Sequence, residues 1–287
     1  MYLTKHRTTE GARWARDGFF LPPSVTLSTL LEMPREAMLQ LLANLSVSES
    51  TIGGEEAPTD PGHEVWAAGV TYLRSRDARR AESTAADIYE RVYEAARPEL
   101  FFKSLGWRVM GNGMPIRIRA DSRWNVPEPE LVLVINRYRE IVGYCAGNDV
   151  SSRDIEGENP LYLPQAKVYN GSCALGHGIW LCEPEQIKDI SIRLTIKRAN
   201  QKIFEGETTT GTMKRTLSEL VEYLTCELDF PQGVFLMTGT CLVPGNDFTL
   251  QPDDVVTIQV GELKLENRVA SLNQSLRNHA GESNNEM

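Results

Sequence analysis

The sequence predicts an α+β fold, mainly β, and three observations carry that expectation. Leu131-Val132-Leu133-Val134-Ile135 is a short apolar run rich in branched residues. Ile192, Leu194 and Ile196 alternate with Arg193, Thr195 and Lys197, and Val255 to Val260 is a further apolar stretch of β type. Strands outnumber helices without regular alternation, which argues against a doubly wound parallel sheet.

Taken in order, Leu30, Leu31, Met38, Leu41, Leu42 and Leu45 suggest a helix after Pro34. Ser46 to Pro61 is polar and turn-rich and reads as a connector or mobile loop. It divides a small amino-terminal domain, 1–60, from a larger catalytic unit, 61–272. Thr84 and Asp87 resemble a capping box, and Ile88, Val92 and Ala95 keep helical spacing until Arg97-Pro98, so Glu99 lies just beyond a helix end. Pro129 has no amide donor and belongs at a strand start. After a turn through Asn136 to Glu140, Ile141 to Ala146 reads as the returning strand. Ala199-Asn200-Gln201 closes a hairpin that continues into Ile203-Phe204. Leu217, Leu220, Val221 and Leu224 form one helical stripe under a Thr216/Glu219 cap, and Val234 to Met237 is a further strand. The polar tail, 273–287, is expected to be disordered.

The chain has 287 residues, 41% of them hydrophobic and 24% charged, as in an ordinary soluble globular protein. Its formal net charge of -9 argues against a nucleic-acid partner, which would require clustered Lys and Arg. A small anionic substrate needs only local cations and remains allowed. Five cysteines, Cys145, Cys173, Cys182, Cys226 and Cys241, form no Cys-x-x-Cys pair and read as buried thiols in a reducing compartment. No apolar stretch approaches the roughly 20 residues of a membrane span, and no secretory leader is evident, so a cytoplasmic protein without membrane association is expected. His6, His63, His177 and His279 show no ligand spacing and read as incidental or core residues.

Glu128-Pro129-Glu130 and Asp149 carry the strongest chemical signal. Residues two apart on a strand share a face, so Glu128 and Glu130 can close on one cation while Leu131, Leu133 and Ile135 enter a core on the other side. An acidic pair on a strand is ordinarily a solvated face. Here Val132 and Val134 continue the acidic face, which implies that it turns inward, where unpaired carboxylates would be costly. With Asp149 just past the returning strand, three carboxylates make an all-oxygen site for Mg2+, with Mn2+ the other candidate.

Glu128-x-Glu130, Asp149-Val150-Ser151-Ser152-Arg153-Asp154, Lys167 and Thr238-Gly239-Thr240 together resemble the fumarylacetoacetate hydrolase superfamily over roughly Val65 to Val269. The resemblance implies a catalytic domain built as a mixed β-sandwich or roll, assembled as a homodimer or homotetramer, with divalent metal at Glu128, Glu130 and Asp149. Hydrolases of the superfamily follow a Gly-x-Asn-Tyr motif with a His-x-x-Glu dyad. The corresponding segment here, Gly69-Val70-Thr71-Tyr72 onward, puts Ser75 and Ala78 at those places, and neither can be a general base. Ile88-Tyr89-Glu90-Arg91-Val92-Tyr93, Arg97 to Lys103 and Glu158 to Lys167 instead resemble the branch that dehydrates 2-keto-3-deoxy sugar acids. That branch implies Glu99 and Lys167 as the acid/base pair acting on a small anionic 2-keto acid. Other superfamily reactions on such acids, namely carbon-carbon hydrolysis, decarboxylation and isomerisation, are the alternatives, and so is a non-catalytic binder. Lys167 could act as base or as an electrostatic partner. Thr240 could hold the substrate carboxylate, and Lys103 could add positive charge to the same pocket, though a solvated lysine is its default. Arg74, Arg76, Arg79 and Arg80 suggest a solvated helix face or a lid.

Overall fold

The computed structural model describes residues 1–73 and 86–270. Its strands are β1 Tyr2–Thr8, β2 Gly11–Arg16, β3 Phe19–Phe20, β4 Glu64–Gly69, β5 Glu99–Leu105, β6 Asn125–Val126, β7 Pro129–Ile135, β8 Ile141–Asp149, β9 Ser151–Ser152, β10 Cys173–Leu175, β11 Gly178–Leu181, β12 Ser191–Arg198, β13 Gln201–Thr209, β14 Val234–Met237, β15 Val255–Val260 and β16 Leu263–Arg268. A 10-stranded sheet runs β3-β2-β1-β11-β8-β7-β14-β4-β5, with β10 also paired to β8. A 4-stranded sheet runs β13-β12-β15-β16, and β6 pairs with β9. The α+β, mainly β expectation holds.

The large sheet is apolar on both faces, and this explains why β7 reads as an unbroken run. Leu131, Leu133 and Ile135 join Ile192, Leu194, Ile196, Val256, Ile258 and Leu265 in a core between the two sheets, closed by Leu217, Leu220, Val221 and Leu224 of the helix Leu217–Leu224. Val132 and Val134 point the other way, into a core with Leu27, Leu30, Leu31, Met38 and Leu42. Those residues come from the helices Leu27–Leu31 and Arg35–Asn44, the second beginning at the expected Pro34.

The β12–β13 hairpin turns at Ala199 and Asn200, with φ of 48° and 63°. Two successive left-handed residues suit the twist of a two-residue hairpin loop. Thr216 caps its helix by accepting from the Glu219 amide.

Four readings change. The returning strand continues three residues beyond Ala146, because Gly147, Asn148 and Asp149 pair with Leu175, Ala174 and Cys173 of β10, a partner remote in sequence. Gly147 is a strand residue whose missing side chain admits Val132. The segment read as a mobile connector is fastened along the amino-terminal hairpin: Phe20 donates to Glu49, Thr51 to Gly18, Arg7 to Gly54 and Glu56 to Lys5, all through backbone groups. Of the five free thiols, Cys226 is exposed and the other four are buried. Residues 1–60, expected as a small domain, join the large sheet edge to edge through β1 on β11.

His63 is a core residue, its Nδ1 accepting from the Asp60 amide and its Nε2 lying 2.9 Å from the Gln232 carbonyl. The Thr84 cap, the Arg74, Arg76, Arg79 and Arg80 cluster, Ser75, Ala78, His279 and the tail 273–287 lie outside the described residues. Among the described residues, no helix is long and apolar enough to cross a membrane.

Candidate active site

Antiparallel pairing brings the start of β7 beside the end of β8, with Pro129 opposite Asn148. The Asp149 amide donates to the Glu128 carbonyl at 3.0 Å, and the Glu128 amide donates to Asn148 Oδ1 at 3.1 Å. The three expected carboxylates therefore converge. Glu128, Glu130 and Asp149 are 1–2% exposed, and each offers an oxygen within 4.8 Å of the others. Burial pushes the Glu130 acid well above its ordinary range, and repulsion from Asp149 and Glu128 adds to it. Charge of this kind, held by a set of hard oxygens, fits a small divalent cation such as Mg2+ or Mn2+.

Two loops deliver the surrounding groups. After β14, the backbone amide of Gly239 donates to Glu130 Oε2 at 2.5 Å. Gly239 has a φ of 92°, and a side chain there would meet Thr71 Oγ1, so glycine is required on both counts. At the end of the helix Leu163–Lys167, the Lys167 ammonium donates to Glu128 Oε2 at 2.7 Å, Asp149 Oδ2 at 2.9 Å and Ser151 Oγ at 2.5 Å. The Phe101 ring lies 5.5 Å from the same nitrogen, a cation–π contact in a desolvated place. Arg153 pairs with Glu128 Oε1 at 2.7 Å.

Strand β5 supplies Glu99, Phe101 and Lys103 on one face, as residues two apart must lie. Phe102 pairs with Trp66 and Ser104 with Val65, which leaves Lys103 as the extra residue of a β-bulge. The default of a solvated Lys103 is corrected: it is fully buried, with its ammonium 2.5 Å from Asp149 Oδ1. It also donates to the carbonyls of Val150 at 3.1 Å and Lys167 at 2.6 Å. Two of its protons thus go to backbone carbonyls, and its charge lies against Asp149. Three cations, Lys103, Lys167 and Arg153, face three carboxylates.

A cavity of about 10 Å3, room for roughly one water-sized particle, is lined by Ala68, Gly69, Val70, Phe101, Glu128, Glu130, Asp149, Arg153, Lys167, Gly239 and Thr240. Glu99 opens β5 opposite Gly69, which lines the cavity, and its carboxylate fills the place that a side chain on Gly69 would take. A larger cavity, about 750 Å3, lies elsewhere among Arg139, Lys188, Thr210, Leu217 and Val221. It gathers no comparable carboxylate cluster, and chemistry outweighs size in locating the site.

The family model described as fumarylacetoacetate (FAA) hydrolase C-terminal matches residues 64–270. This chain belongs to the fumarylacetoacetate hydrolase family. Within that family it is 48% identical over 206 residues to a probable 2-keto-3-deoxyxylonate dehydratase of Haloferax volcanii, covering 71% of this chain and 70% of the relative. Identity is 42% over 213 residues with 2-dehydro-3-deoxy-D-arabinonate dehydratase of Saccharolobus solfataricus, covering 72% and 70%. A solved structure of 2-keto-3-deoxy-D-arabinonate dehydratase complexed with magnesium and 2,5-dioxopentanoate superposes with a TM-score of 0.78 at 33% identity, covering 94% of this chain and 99% of that one. For a family member, the sequence signals were incomplete at four places. Arg153 and Ser151 stand inside the Asp149 to Asp154 string, Phe101 inside the Arg97 to Lys103 string and Gly239 inside Thr238-Gly239-Thr240, but none of the four carried an assigned role. Nothing local marks any of the four: Arg153 sits in a polar stretch beside Asp154 and Ser152.

Proposed function

We propose that this chain is a Mg2+-dependent hydro-lyase that converts 2-keto-3-deoxy-D-arabinonate to 2,5-dioxopentanoate and water. The observation that carries the reading is the buried carboxylate cluster with Lys167 set between Glu128 and Asp149, in a chain 48% and 42% identical to two proteins named as dehydratases of such acids. A divalent ion held by Glu128, Glu130 and Asp149 would supply Lewis acidity toward the 2-keto acid's oxygens.

The remaining work falls to the chain's own groups. Lys167 starts as an ammonium, because two carboxylates and a hydroxyl accept from it, and it becomes a base when those carboxylates are otherwise neutralised. In that state it takes one C3 proton while protonated Glu99 gives its proton to the C4 hydroxyl, which departs as water. The C3–H electron pair becomes the C3=C4 double bond. The enone then isomerises: a proton leaves C5, one is added at C3, and the C5 enol transfers its hydroxyl proton to C4 to give the aldehyde. Thr240 accepts from the Leu242 amide at 3.2 Å, which leaves its hydroxyl proton for the substrate carboxylate. Phe101 and the buried position of the cluster exclude water from the reacting carbons.

The hydrolase chemistry of other family members calls for a general base where this sequence has Ser75 or Ala78. The proposal extends to a cytoplasmic homodimer or homotetramer, which light scattering on the eluting protein tests.

The deciding experiment is turnover of 2-keto-3-deoxy-D-arabinonate with Mg2+ and with chelator, coupling product aldehyde to a semialdehyde dehydrogenase. The expected result is a signal that chelator abolishes and Mg2+ restores. Pyruvate, carbon dioxide or any two-carbon fragment as the product would sink the dehydratase reading.

A further inference from the structure

Gly69 closes β4 directly opposite Glu99, the first residue of β5, and its own atoms line the carboxylate cavity. A Cβ built on Gly69 would fall 2.0 Å from Glu99 Oε2 and 2.6 Å from Glu99 Cδ. The volume that any other residue's side chain would claim is thus filled by the Glu99 carboxyl group.

The backbone at this place has little freedom to move aside. Val70, the next residue, is buried and has a φ of 53°, a left-handed conformation that a β-branched side chain rarely adopts. It turns the chain sharply out of β4. Thr71 is then anchored twice: its hydroxyl donates to the Thr238 carbonyl at 2.7 Å, and its carbonyl accepts from the Lys214 amide at 2.9 Å. On the strand side, Gly69 is held by the ladder of β4 with β5, and β14 pairs with β4 as far as Ala67. Between these fixed points, an added methyl group meets the end of a flexible acidic side chain, and that side chain is the part that yields.

We propose that Gly69 is a positioning residue for Glu99: the missing side chain, locked in place by the left-handed turn at Val70, is what lets the Glu99 carboxyl lie against the cavity wall. The inference rests on the acid/base role proposed for Glu99. It predicts that Gly69→Ala folds and binds metal normally while the Glu99 carboxyl group is displaced by about the width of a methyl.

The test is a double-mutant cycle with Gly69→Ala, Glu99→Gln and the double variant, measured as full-length protein with Mg2+ and 2-keto-3-deoxy-D-arabinonate. Gly69→Ala should lower kcat by about a hundredfold, the order expected for a misplacement of about 1 Å, and change KM little. The pH limb of kcat that Glu99→Gln removes should shift in Gly69→Ala. Mn2+ affinity and melting temperature should stay at the parent values. In the Glu99→Gln background the same alanine should cost almost nothing more, because a group acting through Glu99 has nothing left to position.

Each other outcome overturns the proposal in a recognisable way. Parental kcat in Gly69→Ala, beside a Glu99→Gln variant that is inactive, removes the positioning role and leaves the Glu99 reading standing. Parental kcat in Glu99→Gln removes the Glu99 reading and the positioning role with it. An additive cycle, a loss of Mn2+ binding, or failure of Gly69→Ala to fold assigns Gly69 to general structure.

Discussion

Lys167 and Arg193 each pair with a glutamate on a neighbouring segment, at 2.7 Å and 3.0 Å, yet the first pair is no more than 3% exposed and the second about half exposed. The difference comes from what lies on the far face of each strand. β12 alternates, with Ile192, Leu194 and Ile196 buried and Arg193 turned to solvent, so its charges are hydrated and screened. β7 is covered on both faces, and Glu128, which precedes it, is buried with Lys167 and Arg153 against its carboxylate. The same residue types therefore make a solvated surface in one sheet and a strongly coupled electrostatic site in the other.

The sharpest way to break this contrast is Lys167→Ala. Turnover should fall roughly a hundred- to ten-thousand-fold, the range for a positioned acid or base, while calorimetric Mg2+ binding persists. Metal-free protein should also lose about 3–5 kcal/mol of stability in urea, because two buried carboxylates lose their ammonium. Unchanged turnover would remove Lys167 from the chemistry.

Glu130→Gln sharpens the other half. Its acid is raised by burial and by Asp149 and Glu128, so the amide should relieve repulsion in the metal-free protein. Calorimetry should show Mg2+ binding lost and melting temperature unchanged or higher.

On the solvated sheet the core face is the sensitive one. Leu194→Ala removes a fully buried side chain and should cost about 2–5 kcal/mol with kcat per folded molecule intact.

The pH response separates a buried neutral base from hydrated ions. Burial lowers the His63 pKa below its ordinary 6.5, with Asp60 opposing and Lys5 assisting the shift. The native ring is neutral, whereas the unfolded chain takes up a proton as pH falls through that ordinary value. Stability is therefore complete above it and declines below it, toward the native pKa. Melting temperature should drop between about pH 7 and pH 5, less steeply in His63→Gln. An identical slope in both proteins would assign the drop to other groups.

Arg193→Ala should have the smallest effect, below about 1 kcal/mol by urea titration, as for exposed pairs in general.

Sequence alone determined the elements whose signals are local. Glu128 and Glu130 share a strand face by period two, and Val132 and Val134 announced that this face is buried. The motif strings marked a stretch, Val65 to Val269, that agrees with the family match over 64–270. The helix Leu217–Leu224 followed from spacing and cap. What tertiary structure decided are the features that depend on a distant partner: the second ladder that the last three residues of β8 make is with β10, the fastening of the segment after Ser46 needs the amino-terminal hairpin, and Lys103 is buried against Asp149 from a bulge in β5. Local propensity encodes which conformation a segment prefers, but the environment of a charge depends on everything packed around it. For that reason three carboxylates were legible from their spacing and Lys167 and Lys103 from the resemblance, whereas Arg153, the pairing of each cation with its carboxylate and the glycine that makes room for Glu99 emerge only when the strands are brought together.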